Sequence, residues 1–258
     1  MKNTCSYVLF FALFIFLNFH PYVCADEKVI IAAASDLKFA MDEICKTFEQ
    51  TNPSIDIEVT YGSSGNFFAQ IKQGAPFDIF FSADRNYPAR LEEDGFAVKG
   101  ESVLYAIGKI VLWIPKKISL HSQEGLPIIL KPEIKKLAIA NPKHAPYGHA
   151  AEESLRYYKL WDMIQGKLVL GENISQTAQF VHTGAADAGI IALSLAISPG
   201  MKDGGTYWEI PTESYSKLAQ VYTVLQRGKN KSGVKTFLKF INSEQGKHIL
   251  THYGFLLP

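Results

Sequence analysis

The stretch Val29-Ile30-Ile31-Ala32-Ala33-Ala34-Ser35-Asp36-Leu37-Lys38-Phe39-Ala40-Met41 decides the fold. Residues 29–33 are a short apolar run with the β-branched side chains of a buried strand. From Leu37 the period changes: Leu37, Met41, Ile44 and Phe48 recur at helical spacing until the breaker Asn52-Pro53. A buried strand running straight into an amphipathic helix is half of a strand–helix–strand unit. The same alternation returns downstream. Residues 55–61 alternate as a strand, and Phe67, Phe68 and Ile71 mark a short helix ending at Gly74. Residues 78–82 form another apolar strand, followed by a helix through Leu91 that stops at Gly95. This spacing predicts an α/β fold with a mostly parallel sheet flanked by helices on both faces.

A long hydrophobic strand, residues 103–115, then carries the chain into a second alternating region. Strands are expected at 137–140, 167–170 and 188–192, with helices at about 149–158 and 174–183. After the turn-rich stretch 199–205 come strands at 207–210 and 220–225, then helices at 234–241 and 244–253. No repeat, low-complexity tract or flexible linker interrupts the series, so two lobes joined by strand crossings are expected. Ligands of open α/β sheets bind at the carboxyl ends of strands, which directs attention to the strand-to-helix turns.

Composition narrows the function. The 258 residues are 47% hydrophobic, 12% aromatic and 20% charged, which excludes disordered, collagen-like and coiled-coil chains. Lys plus Arg total 26 against 25 Asp plus Glu, so no strong field would draw in nucleic acid or anionic lipid. The N-terminus reads as a secretory signal over residues 1–25. Lys2 precedes an apolar run over 7–19, then His20-Pro21-Tyr22 and the small-residue pattern Val23-Cys24-Ala25, with cleavage expected before Asp26. Cleavage removes Cys5 and Cys24. The remaining Cys45 cannot close an intramolecular disulfide and falls on the apolar side of a helix, as a buried hydrophobe would. The mature chain is expected to be soluble and outside the cytoplasm.

Three turns share one chemical character. They are Ala32-Ala33-Ala34-Ser35-Asp36, with Ser35 as expected N-cap, Tyr61-Gly62-Ser63-Ser64-Gly65-Asn66, and Ala145-Pro146-Tyr147-Gly148-His149. Each leaves backbone N–H groups free at a positive helix end, and two add hydroxyls, so each could receive an anion. Plain capping accounts for any one of them alone. In Glu172-Asn173-Ile174-Ser175-Gln176, Asn173 and Gln176 make a capping box, with an N–H near Ile174 that could face a cleft. Asp36, the carboxylate beside these donors, is expected to complement the helix end while facing solvent; facing the ligand instead, it would shift the reading toward a protonated oxyanion such as phosphate.

Enzyme motifs are weaker. Gly62-Ser63-Ser64-Gly65 is too tight for a G-x-S-x-G elbow, and there is no Walker loop or G-x-G-x-x-G. His248 and His252 lack the Glu that a zincin needs and read as surface histidines. His144 and His149 flank the third turn, but no base for Ser63 or Ser64 is apparent in the spacing.

Taken in order, Ile30-Ile31-Ala32-Ala33-Ala34-Ser35-Asp36-Leu37, Tyr61-Gly62-Ser63-Ser64-Gly65 and Gly74-Ala75-Pro76-Phe77-Asp78-Ile79-Phe80-Phe81-Ser82-Ala83-Asp84 resemble the periplasmic molybdate-binding proteins of ABC importers. Leu137-Ala138-Ile139-Ala140-Asn141-Pro142, Pro146-Tyr147-Gly148, Ala188-Gly189-Ile190-Ile191-Ala192 and Tyr253-Gly254-Phe255 extend the resemblance over the mature chain. It implies a two-lobed class II periplasmic-binding fold with the ligand in the interlobe cleft. Lobe 1 would hold 26–108 plus 217–258 and lobe 2 would hold 109–216. In similar proteins the oxyanion is held by residues that fall here on Ser35, Ser64, Tyr147 and Ile174. Some members add a tyrosine where this chain has Ala192, so that contact is either absent or supplied by Ser194. The resemblance also implies molybdate or tungstate as ligand and no cofactor. The expected partners are an inner-membrane ABC permease and its cytoplasmic ATPase, and nothing asks for more than a monomer. Alternatives are a carrier for sulfate or phosphate, a secreted serine hydrolase using Ser63 or Ser64, and an extracellular sensory lobe.

Overall fold

A computed structural model of the chain describes residues 27–118 and 124–258. The signal segment, with Cys5 and Cys24, lies outside these residues. The strands, in chain order, are β1 (Glu27–Ala34), β2 (Ile55–Gly62), β3 (Ile79–Ser82), β4 (Val103–Gly108), β5 (Ile110–Pro115), β6 (Leu137–Ala140), β7 (Leu168–Gly171), β8 (Ala188–Ala192), β9 (Gly205–Glu209) and β10 (Leu218–Val224). They form two five-stranded sheets, ordered β2-β1-β3-β10-β4 and β7-β6-β8-β5-β9. In the first, β1 pairs parallel with β2 and β3, while β10 runs antiparallel to both β3 and β4. In the second, β6 pairs parallel with β7 and β8, while β5 runs antiparallel to β8 and β9. Each sheet therefore has one reversed strand, β10 or β5, and the rest point the same way, as the sequence predicts.

The expected long strand over 103–115 is instead two. Backbone pairing breaks at Lys109, and β4 and β5 belong to different sheets. An unbroken apolar run cannot reveal which neighbour each half pairs with. The chain returns between β9 and β10, where the Ser216 amide and hydroxyl donate to the Glu153 carboxylate at 2.7 and 2.8 Å.

The helices are α1 (Lys38–Thr51), α2 (Ser64–Lys72), α3 (Asn86–Glu93), α4 (Pro146–Tyr157), α5 (Ile174–Thr183), α6 (Leu193–Ala196), α7 (Ser232–Ile241) and α8 (Glu244–His252). The residues whose period predicts α1, namely Leu37, Met41, Ile44 and Phe48, are all fully buried. On one face of the first sheet they meet Ile31, Phe81 and Phe237, with Phe48 edge-on to Phe237 at 5.2 Å. On the other face Phe67 of α2 and Leu91 of α3 pack on Phe80. Cys45 is buried as expected, and burial pushes its thiol up to about 12, beyond nucleophilic use at neutral pH. The second sheet packs with Leu155 of α4, Val181 of α5 and Leu195 of α6 in one continuous core. The short α6 is absent from the sequence reading because Leu193-Ser194-Leu195-Ala196 is too brief to show a period.

The strands leading to the site end in small residues, Ala34, Gly62, Ala140 and Gly171, so the following helices start close against the sheet edge. At Gly148 this closeness is extreme: a Cβ there would stand 2.1 Å from the Ala140 carbonyl oxygen.

Candidate functional site

Four turns converge between the sheets. A small cavity is lined from one side by Ser35, Asp36, Ser63 and Ser64, and from the other by Pro146, Tyr147 and Ile174. The sequence-predicted residues Ser35, Ser64, Tyr147 and Ile174 thus share one enclosure, though they come from four separate turns. None of its lining residues is Lys, Arg or His.

The local chemistry supplies donors. Ser63 caps α2, its hydroxyl accepting from Asn66 N at 3.4 Å, and Asn173 caps α5, accepting from Gln176 N at 3.0 Å. The capping box expected at Asn173 closes one residue earlier than the pattern implies, because Gln176 Oε1 accepts from Glu172 N at 2.7 Å. No side chain caps α4, which begins with Pro146. A helix has no carbonyl of its own for its first-turn N–H groups, and among the described residues Ser64, Tyr147 and Ile174 donate to no other backbone group from that position. The Ser64 side chain is fully buried and its oxygen accepts from Ala83 N at 3.0 Å, so its hydrogen is free to donate.

Ser35 departs from expectation. It does not cap α1; it opens a 3-10 turn, Ser35–Leu37, that has no side-chain cap. Its hydroxyl instead reaches across the cleft and donates to Asn173 Oδ1 at 3.2 Å. Ser175 answers from the opposite lobe, N to Ser35 Oγ at 3.3 Å and Oγ to the Ser35 carbonyl at 2.8 Å. Ala192 and Ser194 do not line the cavity. Ser194 Oγ donates to the Asp36 carbonyl at 2.7 Å, so it braces the turn from behind, and Ala192 ends β8 paired with Ile110.

Asp36 also departs. It is 1% exposed rather than facing solvent. Tyr147 donates to its Oδ2 at 2.9 Å, and Gln220 Nε2 donates to the Tyr147 hydroxyl at 3.3 Å. Burial raises the Asp36 carboxyl to about 7, opposed first by the bond from Tyr147 and then by the nearby amides of its own backbone and Gln220. The Tyr147 hydroxyl is held well above its ordinary range by burial and by this carboxylate. The sequence reading missed Gln220, although a glutamine inside the apolar strand β10 was a usable signal, because a buried amide needs a polar partner.

A histidine does meet Ser63: His144 Nδ1 lies 3.0 Å from its hydroxyl, and His144 Nε2 lies 3.6 Å from Glu172. Spacing alone does not reveal this pair, because 81 residues separate its members. The Ser63 oxygen is engaged as the α2 cap, and Gly65 N donates to the His144 carbonyl at 2.9 Å. The contact therefore fastens one lobe to the other. His149 pairs with Glu153, and His248 and His252 are exposed. Among the described residues no group of His, Cys, Asp and Glu could hold a metal ion.

Fold and site together define a class: a two-lobed α/β protein of the class II binding fold, with hydroxyls, helix-end amides and the Asp36 carboxyl gathered between its sheets. The chain belongs to the bacterial extracellular solute-binding protein family, whose model matches residues 29–256. Among its relatives, the molybdate-binding protein ModA of Rhodobacter capsulatus is 35% identical over 90% of this chain and 89% of its own length. The ModA of Azotobacter vinelandii is 34% identical over 90% and 92%. A substrate-binding lipoprotein of Bacillus subtilis, described as putative, is 31% identical over 90% and 88%. The solved periplasmic molybdate-binding protein of Azotobacter vinelandii superposes with a TM-score of 0.82 at 29% identity, covering 89% of this chain and 99% of that one.

Proposed function

We propose that this protein captures molybdate, and also tungstate, outside the cytoplasm and delivers it to an ABC permease driven by a cytoplasmic ATPase. The observation that carries this reading is the convergence of Ser35, Ser64, Tyr147 and Ile174 on one small cavity without a cationic side chain. A tetrahedral dianion stripped of water needs short charge-assisted bonds in every direction, and neutral hydroxyls and helix-end amides provide them. Fixed donors select by size and protonation state, whereas lysines would admit many anions. The relatives named for molybdate support the ligand. The sheet memberships support a division into 26–108 plus 217–258 and 109–216, with closure by hinge motion at the two crossings. Export by a signal over residues 1–25 and action as a monomer belong to the same reading.

Calorimetric titration of the dialysed protein with molybdate, tungstate, sulfate and phosphate at neutral pH and fixed salt tests it. Tight one-to-one binding of the first two is expected. Tighter sulfate or phosphate would replace the ligand, and silence with all four would end the oxyanion reading. Ser64→Ala is expected to weaken molybdate about 10- to 150-fold, the range for losing a hydrogen bond to a charged group. Ser35→Ala should cost less, because its hydroxyl donates to Asn173 rather than directly into the cavity.

A further inference from the structure

Asp36 is an odd neighbour for a dianion. It lines the cavity, it is almost fully buried, and no Lys, Arg or His lines the cavity beside it. Its Oδ2 is satisfied by Tyr147 at 2.9 Å, yet its Oδ1 is buried without a partner. A bare carboxylate there would repel the ligand and keep an unmet acceptor, two costs that one proton removes together.

We propose that Asp36 acts as a neutral carboxylic acid whose Oδ1–H donates to an oxygen of the bound anion, so that capture of each dianion takes up one proton from solvent. The inference rests on the oxyanion reading above and adds a proton to it. The balance is simple: carboxylate, one proton and the dianion give the acid hydrogen-bonded to the intact oxyanion, with no bond to the anion's central atom made or broken.

The surroundings leave Asp36 as the group that carries the proton. From α4 comes Tyr147, whose hydroxyl donates to Asp36 and is itself far from ionising. From β10 and β4 come Gln220, neutral, and Tyr105, whose hydroxyl donates to Gln220 Oε1 at 3.5 Å and is likewise pushed up by burial. From α5 and α6 come Asn173, Ser175 and Ser194, all uncharged. His144, outside the cavity lining, is joined to Ser63 and Glu172 and makes no bond to Asp36.

The sign follows from burial. An Asp in an open, hydrated cleft ionises near its ordinary 3.8, whereas in this closed site it is raised to about 7, and a bound dianion pushes it higher still. Proton uptake on binding therefore spans that interval, and affinity falls as pH rises through it.

The test is titration of the wild-type protein with molybdate at pH 6 and pH 7, in buffers of different ionisation enthalpy. The dependence of the apparent enthalpy on the buffer counts protons. Uptake close to one per anion is expected, with Kd rising roughly tenfold per pH unit between about 5 and 7. Asp36→Asn, whose amide donates at every pH, should bind with no uptake and a flat pH profile. Molybdate bound by wild type without proton uptake overturns the inference while leaving the oxyanion reading intact. Uptake that persists in Asp36→Asn also overturns it and moves the proton elsewhere. Failure of wild type to bind molybdate, tungstate, sulfate or phosphate overturns both.

Discussion

Gly65→Ala is expected to lower molybdate affinity about 5- to 150-fold while leaving the thermal midpoint of the ligand-free protein unchanged. A Cβ at position 65 would stand 2.6 Å from the His144 carbonyl oxygen and 2.8 Å from the Tyr87 hydroxyl. Tyr87 is a side-chain end and can move. The His144 carbonyl is backbone, and it is the acceptor of the Gly65 amide at 2.9 Å. The collision arises only where the two lobes meet, so it opposes closure rather than folding. Overpacking of this kind costs about 1–3 kcal/mol, which sets the expected loss. Titration calorimetry and a thermal melt of the same sample check the two halves. A lowered midpoint without ligand would place the clash inside lobe 1, and unaltered affinity would show that His144 does not close against Gly65.

The second large effect is on stability. Asp78 is fully buried at the start of β3, where its Oδ2 accepts from Ile30 N at 2.8 Å and pairs with Lys231 at 2.7 Å, while Oδ1 pairs with Arg227 at 3.1 Å. One carboxylate thus ties β1 to the segment that leads from β10 into α7, and so joins the two sequence-distant parts of lobe 1. Asp78→Ala is expected to destabilise the protein by about 3 kcal/mol, the low end for breaking a buried pair, because both cations can turn to solvent. For a chain of this size that is roughly 6–12 °C of Tm. Loss of less than 2 °C in a melt would show that the pair is replaced by solvent contacts. Anion affinity, measured below the melt, should not follow the stability loss, since Asp78 is not among the residues lining the cavity.

Much of this fold is legible in the sequence, for identifiable reasons. The helix α1 was readable because four buried side chains, Leu37, Met41, Ile44 and Phe48, repeat at 3.6-residue spacing and nothing in the sheet overrides them. The donor turns were readable because small residues before a helix leave N–H groups open wherever they occur. The break at Lys109 was not, since both halves of 103–115 are apolar and pairing partners lie about a hundred residues away. The burial of Asp36 was hidden for a similar reason: the residues that enclose it, Tyr147, Ser194 and Gln220, are 111 or more positions distant. Sequence neighbours set which groups the turn offers. Distant segments decide whether those groups see water.

The absence of cationic side chains from the cavity lining has a bearing on where the protein can work. Mobile salt weakens attraction between charges that it can reach, over a Debye length of about 10 Å at 0.1 M ionic strength. On the proposed reading the attraction is carried by buried hydroxyls and helix-end amide dipoles rather than by charges exposed to salt. A lysine-lined receptor would lose its grip as a freshwater habitat turned brackish, whereas this one should hold its cargo with nearly constant affinity across that change.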